Sequence, residues 1–94
     1  MALRQSSPSA SAETIGIKAV GFLAASEDDL LRFVALSGLD PADLRARAGE
    51  ADVLVAVLDH LLGDDALLTG FCEAEGLAPK DVHLARHRLS GDVG

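Results

Sequence analysis

Tryptophan and tyrosine are missing from this 94-residue chain, and its aromatic residues are three phenylalanines, Phe22, Phe33 and Phe71. Leucine, valine and alanine must therefore fill the interior. That composition favours helices, because strands are enriched in aromatic and β-branched residues while alanine and leucine head the helix scale. Cysteine occurs once, as Cys72, so no disulfide can form within the chain. A reducing compartment, the cytoplasm, is the expected home. No apolar run approaches the roughly 20 residues that span a bilayer. The opening "MALRQSSPSASAE" holds a single arginine and no apolar stretch, unlike a signal peptide or an anchor. Basic residues are also scarce. Eight Lys and Arg stand against 15 Asp and Glu, a net charge of −7, and an acidic field of that size repels a phosphate backbone. Neither a phosphate-cradling glycine loop nor a paired-cysteine motif appears.

Helix punctuation is abundant. The first 11 residues, rich in Ser, Ala and Pro, read as a disordered tail, with the folded domain over 12–90 and a frayed end over 91–94. Ser11 is placed to cap a first helix over about 12–25, whose wide apolar arc (Ile15, Ala19, Phe22, Leu23, with Ile17, Val20 and Ala24) predicts deep burial. Its remaining stripe, Thr14, Lys18, Gly21 and Ala25, would let another backbone approach at the glycine. Ser26 caps "EDDLLRFVALS", whose first-turn acids complement the helix dipole, and Gly38 stops it. Asp40 and Pro41 open a short helix to about Ala48, ended by Gly49. The segment "ADVLVAVLDHLL", residues 51–62, is the second core helix, ended by Gly63. Asp64 caps "DALLTGFCEAE", Gly76 closes it, and Pro79 starts a last helix to about Leu89 with Val82, Ala85 and Leu89 inward.

The phrases "GLDPADL" at 38–44 and "GLAPKDV" at 76–82 pair Gly38 with Gly76, Leu39 with Leu77 and Pro41 with Pro79. Each is read as an αα-hairpin corner, Gly-Leu-x-Pro. Glycine takes the left-handed cap, leucine makes the contact after it, and proline launches the next helix. Duplication and convergence on one corner chemistry account for it equally.

Candidate chemistry is sparse. His83 and His87, four apart, share one helical face near Lys80, and with Cys72 and His60 they are the candidates for a metal or small-molecule binder. Such a site needs third and fourth ligands, whereas Cys72 falls on an apolar stripe and the histidines on a polar one. His60 beside Asp59 is not oriented by it, since helix neighbours lie about 100° apart. The last helix, with Lys80, His83, His87 and Arg88, offers at most weak nucleic-acid binding, without aromatic interleaving. Between residues 50 and 75 seven acids meet no Lys or Arg, which points to a basic protein partner or a second copy of the chain. The partner would be met by a groove between helices or by the acidic face, and the candidate interaction surface named by residue is Asp64, Asp65, Glu73, Glu75, Lys80, His83 and His87.

The strings "ETIGIKAVGFLA", "RFVALSGLDPADLRA" and "VLDHLLGDDALLTGFCEAEGLAP" together resemble a family of small bacterial proteins, domain of unknown function 3572, over residues 13 to about 91. The resemblance implies a bacterial cytoplasmic protein of all-helical fold and brings no activity, cofactor or site residue. The expectation is an all-α, compact single-domain bundle of five to six short helices. Its expected role is that of a non-enzymatic, acidic interaction or regulatory module without cofactor.

Overall fold

Three residues of this chain are prolines, and each stands at the first position of a helix, where its fixed φ is already helical and its missing N–H is no loss. The computed structural model describes the backbone of residues 8–93 and the side chains of residues 12–91. It contains α1 (Pro8–Ala24), α2 (Glu27–Ser37), α3 (Pro41–Ala46), α4 (Ala51–Leu62), α5 (Asp65–Glu75) and α6 (Pro79–Val93). The all-α bundle is as expected, and the described residues include no strand.

The helix starts obey local chemistry. Ser26 Oγ accepts from Asp29 N–H at 3.4 Å, Asp40 Oδ1 from Asp43 N–H at 2.8 Å, and Asp64 Oδ1 from Leu67 N–H at 3.1 Å. Each satisfies one of the amides a helix leaves unpaired at its first turn. At α6 the bond runs the other way, Ala78 N–H donating to Asp81 Oδ2 at 2.9 Å. Both doubled corners are left-handed, with Gly38 at φ 82° and Gly76 at φ 69°, where a β-carbon is strained. They close differently. The Leu77 N–H reaches back to the Cys72 carbonyl at 2.9 Å, whereas the Leu39 N–H is taken by Ser37 Oγ at 3.2 Å. Beyond the corners the likeness ends, since α3 has 6 residues and α6 has 15.

Helix limits differ from expectation in three places. Helix α1 starts at Pro8, not after Ser11, because proline presets the first turn and Ala10 and Ala12 propagate it. The expected tail thus contributes residues 8–11 to a helix, and residues 1–7 lie outside the described residues. Helix α6 continues through Gly91 to Val93, past the expected fraying point; Leu89, 3% exposed, holds that end against the bundle. Helix α3 stops at Ala46, because Arg47 leaves helical geometry at φ −112°, ψ 19°. Its guanidinium binds Glu50 Oε1 at 2.9 Å and Asp52 Oδ2 at 2.7 Å, tying the α3–α4 turn down before Gly49 is needed. Gly63 ends α4 as expected, in right-handed geometry at φ −85°.

The core is a trio rather than a pair. Helices α1, α4 and α6 make the most extensive contacts with one another, and α2 and α5 pack around them. Ala12, Ala19 and Leu23 from α1, Val53, Leu54, Val57, Leu58 and Leu61 from α4, and Val82, Ala85 and Leu89 from α6 are buried. The buried stripe of α1 is narrower than its sequence arc. Ile17 is 47% exposed, Ala24 is exposed, and the buried row is Ala12, Gly16, Ala19, Leu23. The close approach expected at Gly21 occurs instead at Gly16. A β-carbon there would lie 3.0 Å from Leu54 Cβ, while at Gly21 it would meet nothing within 4 Å. Phe22 completes the α1–α5 seam edge-on to Phe71, with ring centroids 5.5 Å apart. Among the described residues no helix is long and apolar enough to cross a membrane.

Candidate functional site

Phe33, Leu36 and Ser37 on α2 stand at i, i+3 and i+4, and so do Ala56, Asp59 and His60 on α4. Residues at that spacing share one helical face. The two triplets line an open groove of about 390 Å³ between the helices. Its floor is Phe33, 1% exposed, whose ring meets the His60 imidazole edge-on at 5.2 Å and 72°. Its wall is Leu36, which at 73% is the most exposed large apolar side chain among the described residues.

The groove's polar groups are committed unevenly. Ser37 Oγ accepts from Leu39 N–H. Asp59 is held by Arg86 of α6, which donates from Nε to Oδ1 at 2.7 Å and from Nη2 to Oδ2 at 3.3 Å. The hydrogen bond to Asp59, and then that carboxylate's charge, raise the Arg86 pKa. Likewise the hydrogen bond to Glu50, with the charges of Glu50 and Asp52, raises that of Arg47. His60 Nε2 is buried without a hydrogen-bond partner. An unmade bond of that kind costs about 1–3 kcal/mol, and His60 carries it beside the apolar floor. A hydroxyl, a carboxylate and an imidazole share the groove, yet no hydrogen bond links one of the three to another among the described residues.

Of the residues singled out in the sequence, His60 lies in the groove and the others lie elsewhere. Asp65 and Glu73 are exposed on α5, eight positions or about 12 Å apart along the axis. Asp64 is occupied as the α5 cap, and Glu75 stands 3.4 Å from Lys18 Nζ. Lys80, His83 and His87 are exposed along α6. Cys72 is 6% exposed, apart from the exposed histidines, and no cluster of three His, Cys, Asp or Glu fit to hold a metal occurs among the described residues. Sequence reasoning allowed for a groove between helices but did not find the residues of this one. Its one signal was the matching triplet spacing, and Leu36 reads in sequence as an ordinary core position.

Burial, and secondarily the negative charge of Asp81, push the Cys72 thiol up from its ordinary value near 9.0. Protonated thiol is favoured by the fold. That contribution is complete below the unfolded value and is lost as pH rises through the native one. As pH rises above the ordinary thiol value near 9.0, stability followed by circular dichroism should therefore fall more steeply for the native chain than for Cys72→Ala. Parallel slopes would remove the effect.

A family model described as "Protein of unknown function (DUF3572)" matches residues 9–92. The chain belongs to the DUF3572 family. The match runs from the second residue of α1 to the penultimate residue of α6 and so takes in all six described helices of this DUF3572 protein. No curated protein and no solved structure matches it.

Proposed function

We propose that the protein is a non-enzymatic interaction module that seats a cationic amphipathic helix of a partner protein in the α2–α4 groove. The observation that carries the reading is the groove itself: an exposed leucine beside the buried Phe33 and the half-buried His60. An amphipathic helix lays apolar residues one turn apart into such a groove. Charge selects the cationic kind. Asp29 stands one turn before Phe33, Asp59 lines the groove, and the whole chain carries −7. The exposed acids of α5, Asp65 and Glu73, add to the field that steers a basic partner inward, an effect felt mainly in the association rate. The reading includes a cytoplasmic setting, to which a lone buried thiol is suited.

The test is a titration of isotope-labelled protein with a peptide of about sixteen residues, long enough to form a helix, bearing leucine on one face and arginine or lysine on the other. A glutamate version is the control. Amide shifts should cluster at Phe33, Leu36, Ser37, Ala56 and His60 for the basic peptides only, and Leu36→Asp should weaken binding at least about tenfold. Shifts gathered instead around Asp64, Asp65, Glu73, Glu75, Lys80, His83 and His87, or an unchanged affinity in Leu36→Asp, would overturn the reading. So would a second copy of the chain filling the groove, seen as a dimer in sedimentation that Leu36→Asp dissolves.

A further inference from the structure

Asp59 is the one charged side chain among the described residues that line the groove, and it is already engaged. Arg86 crosses from α6, 27 residues along the chain, and holds both carboxylate oxygens through Nε and Nη2. A cationic partner therefore arrives at an acid that carries its own cation. Resting on the docking reading above, we infer that docking proceeds by exchange, the partner's arginine replacing Arg86 on Asp59, so that Arg86 is an internal competitor for the groove's acid and the two-oxygen fork at Asp59 sets the preference for arginine over lysine.

Two observations support exchange. The pair is wet, with Arg86 38% and Asp59 50% exposed, and ion pairs of that kind are weak enough to be swapped. The geometry is a two-pronged fork, one nitrogen to each oxygen. A second guanidinium reproduces that fork, whereas an ammonium group supplies a single point of charge. Once displaced, Arg86 turns to solvent on a long flexible stem, so release asks no rearrangement of the backbone.

The test compares leucine–arginine and leucine–lysine peptides on the full chain and on Arg86→Gln, Asp59→Asn and the double variant. Arg88→Gln, an exposed change on the same helix, controls for the loss of one positive charge. Arg86→Gln should tighten the arginine peptide roughly two- to fivefold, the factor by which an exposed ion pair of ordinary strength occupies its acid. Arg88→Gln should do markedly less. In the Asp59→Asn background the gain should vanish, because the two residues act as one unit, and Asp59→Asn alone should erase the arginine preference. The Arg86 Hε resonance should move to its free position as the native chain saturates. Equal gains from Arg86→Gln and Arg88→Gln, a gain that survives Asp59→Asn, or an unmoved Hε signal would overturn the exchange. Failure of the docking reading looks different: the native chain and Leu36→Asp would then bind these peptides alike.

Discussion

Phe33→Ala is expected to lower the stability of the fold by about 3–5 kcal/mol, the usual loss for deleting a buried aromatic ring. Phe33 is the buried residue of α2, and its ring supplies the edge contact to His60 of α4. Truncation thus removes the one fully buried side chain of a whole helix. Small domains are stable by only about 5–15 kcal/mol, so a large part of the total is at stake. Three residues on, Leu36→Asp should change stability by no more than about 0.5 kcal/mol, as surface substitutions do. One groove therefore separates into a floor that holds the fold and a wall that is free for docking. Urea denaturation followed by far-ultraviolet circular dichroism measures both, the chain having no tryptophan to report by fluorescence. Equal losses for the two variants would show that α2 is not packed as described.

The second large effect lies at the closest approach of α1 to α4. A β-carbon on Gly16 would sit 3.0 Å from Leu54 Cβ and 3.2 and 3.3 Å from its two methyl carbons. Leu54 is fully buried and has nowhere to retreat. Gly16→Val is expected to cost about 3 kcal/mol, at the upper end of what overpacking a tight core costs. Gly16→Ala meets the same leucine but gains up to about 1 kcal/mol in helix propensity, and should land near the native value. Gly21→Ala, on the same helix in open space, should stabilise by about 0.5–1 kcal/mol. The ranking of melting temperatures, with Gly21→Ala highest and Gly16→Val lowest, checks the packing of α1. A reversed order of Gly16→Val and Gly21→Ala would place the contact on the other face.

That contrast shows where sequence was sufficient and where it was not. Caps and stops were legible because they are local: Ser26, Asp40 and Asp64 bond amides three residues away, and Gly38 and Gly76 answer to their own φ. Even there Pro8 was passed over, although Pro41 and Pro79 announced the same role. The failures were those of faces. The α1 arc was too uniformly apolar to show that Gly16, not Gly21, faces α4. Among its described side chains helix α6 carries only Val82, Ala85 and Leu89 as buried residues among many charges, so its place in the core trio was masked by a weak stripe; small Ala85 lets it lie close. The groove was hidden for a different reason. It exists only because α2 meets α4 across an intervening helix, and neither the Phe33–His60 contact nor the Asp59–Arg86 fork follows from spacing along the chain. Asp64, Asp65, Glu73, Glu75, His83 and His87, singled out in sequence, stand at the two ends of α5 and along α6, while Asp59 and His60, of which only His60 was a candidate, took their meaning from partners distant in sequence.

The most direct test of the docking account is a set of intermolecular nuclear Overhauser contacts between the leucine methyls of the bound arginine peptide and the protein's rings. The account predicts contacts to Phe33 and His60, with the Leu36 methyls between them. Contacts to His83 and His87 instead, or to no ring at all, would contradict it.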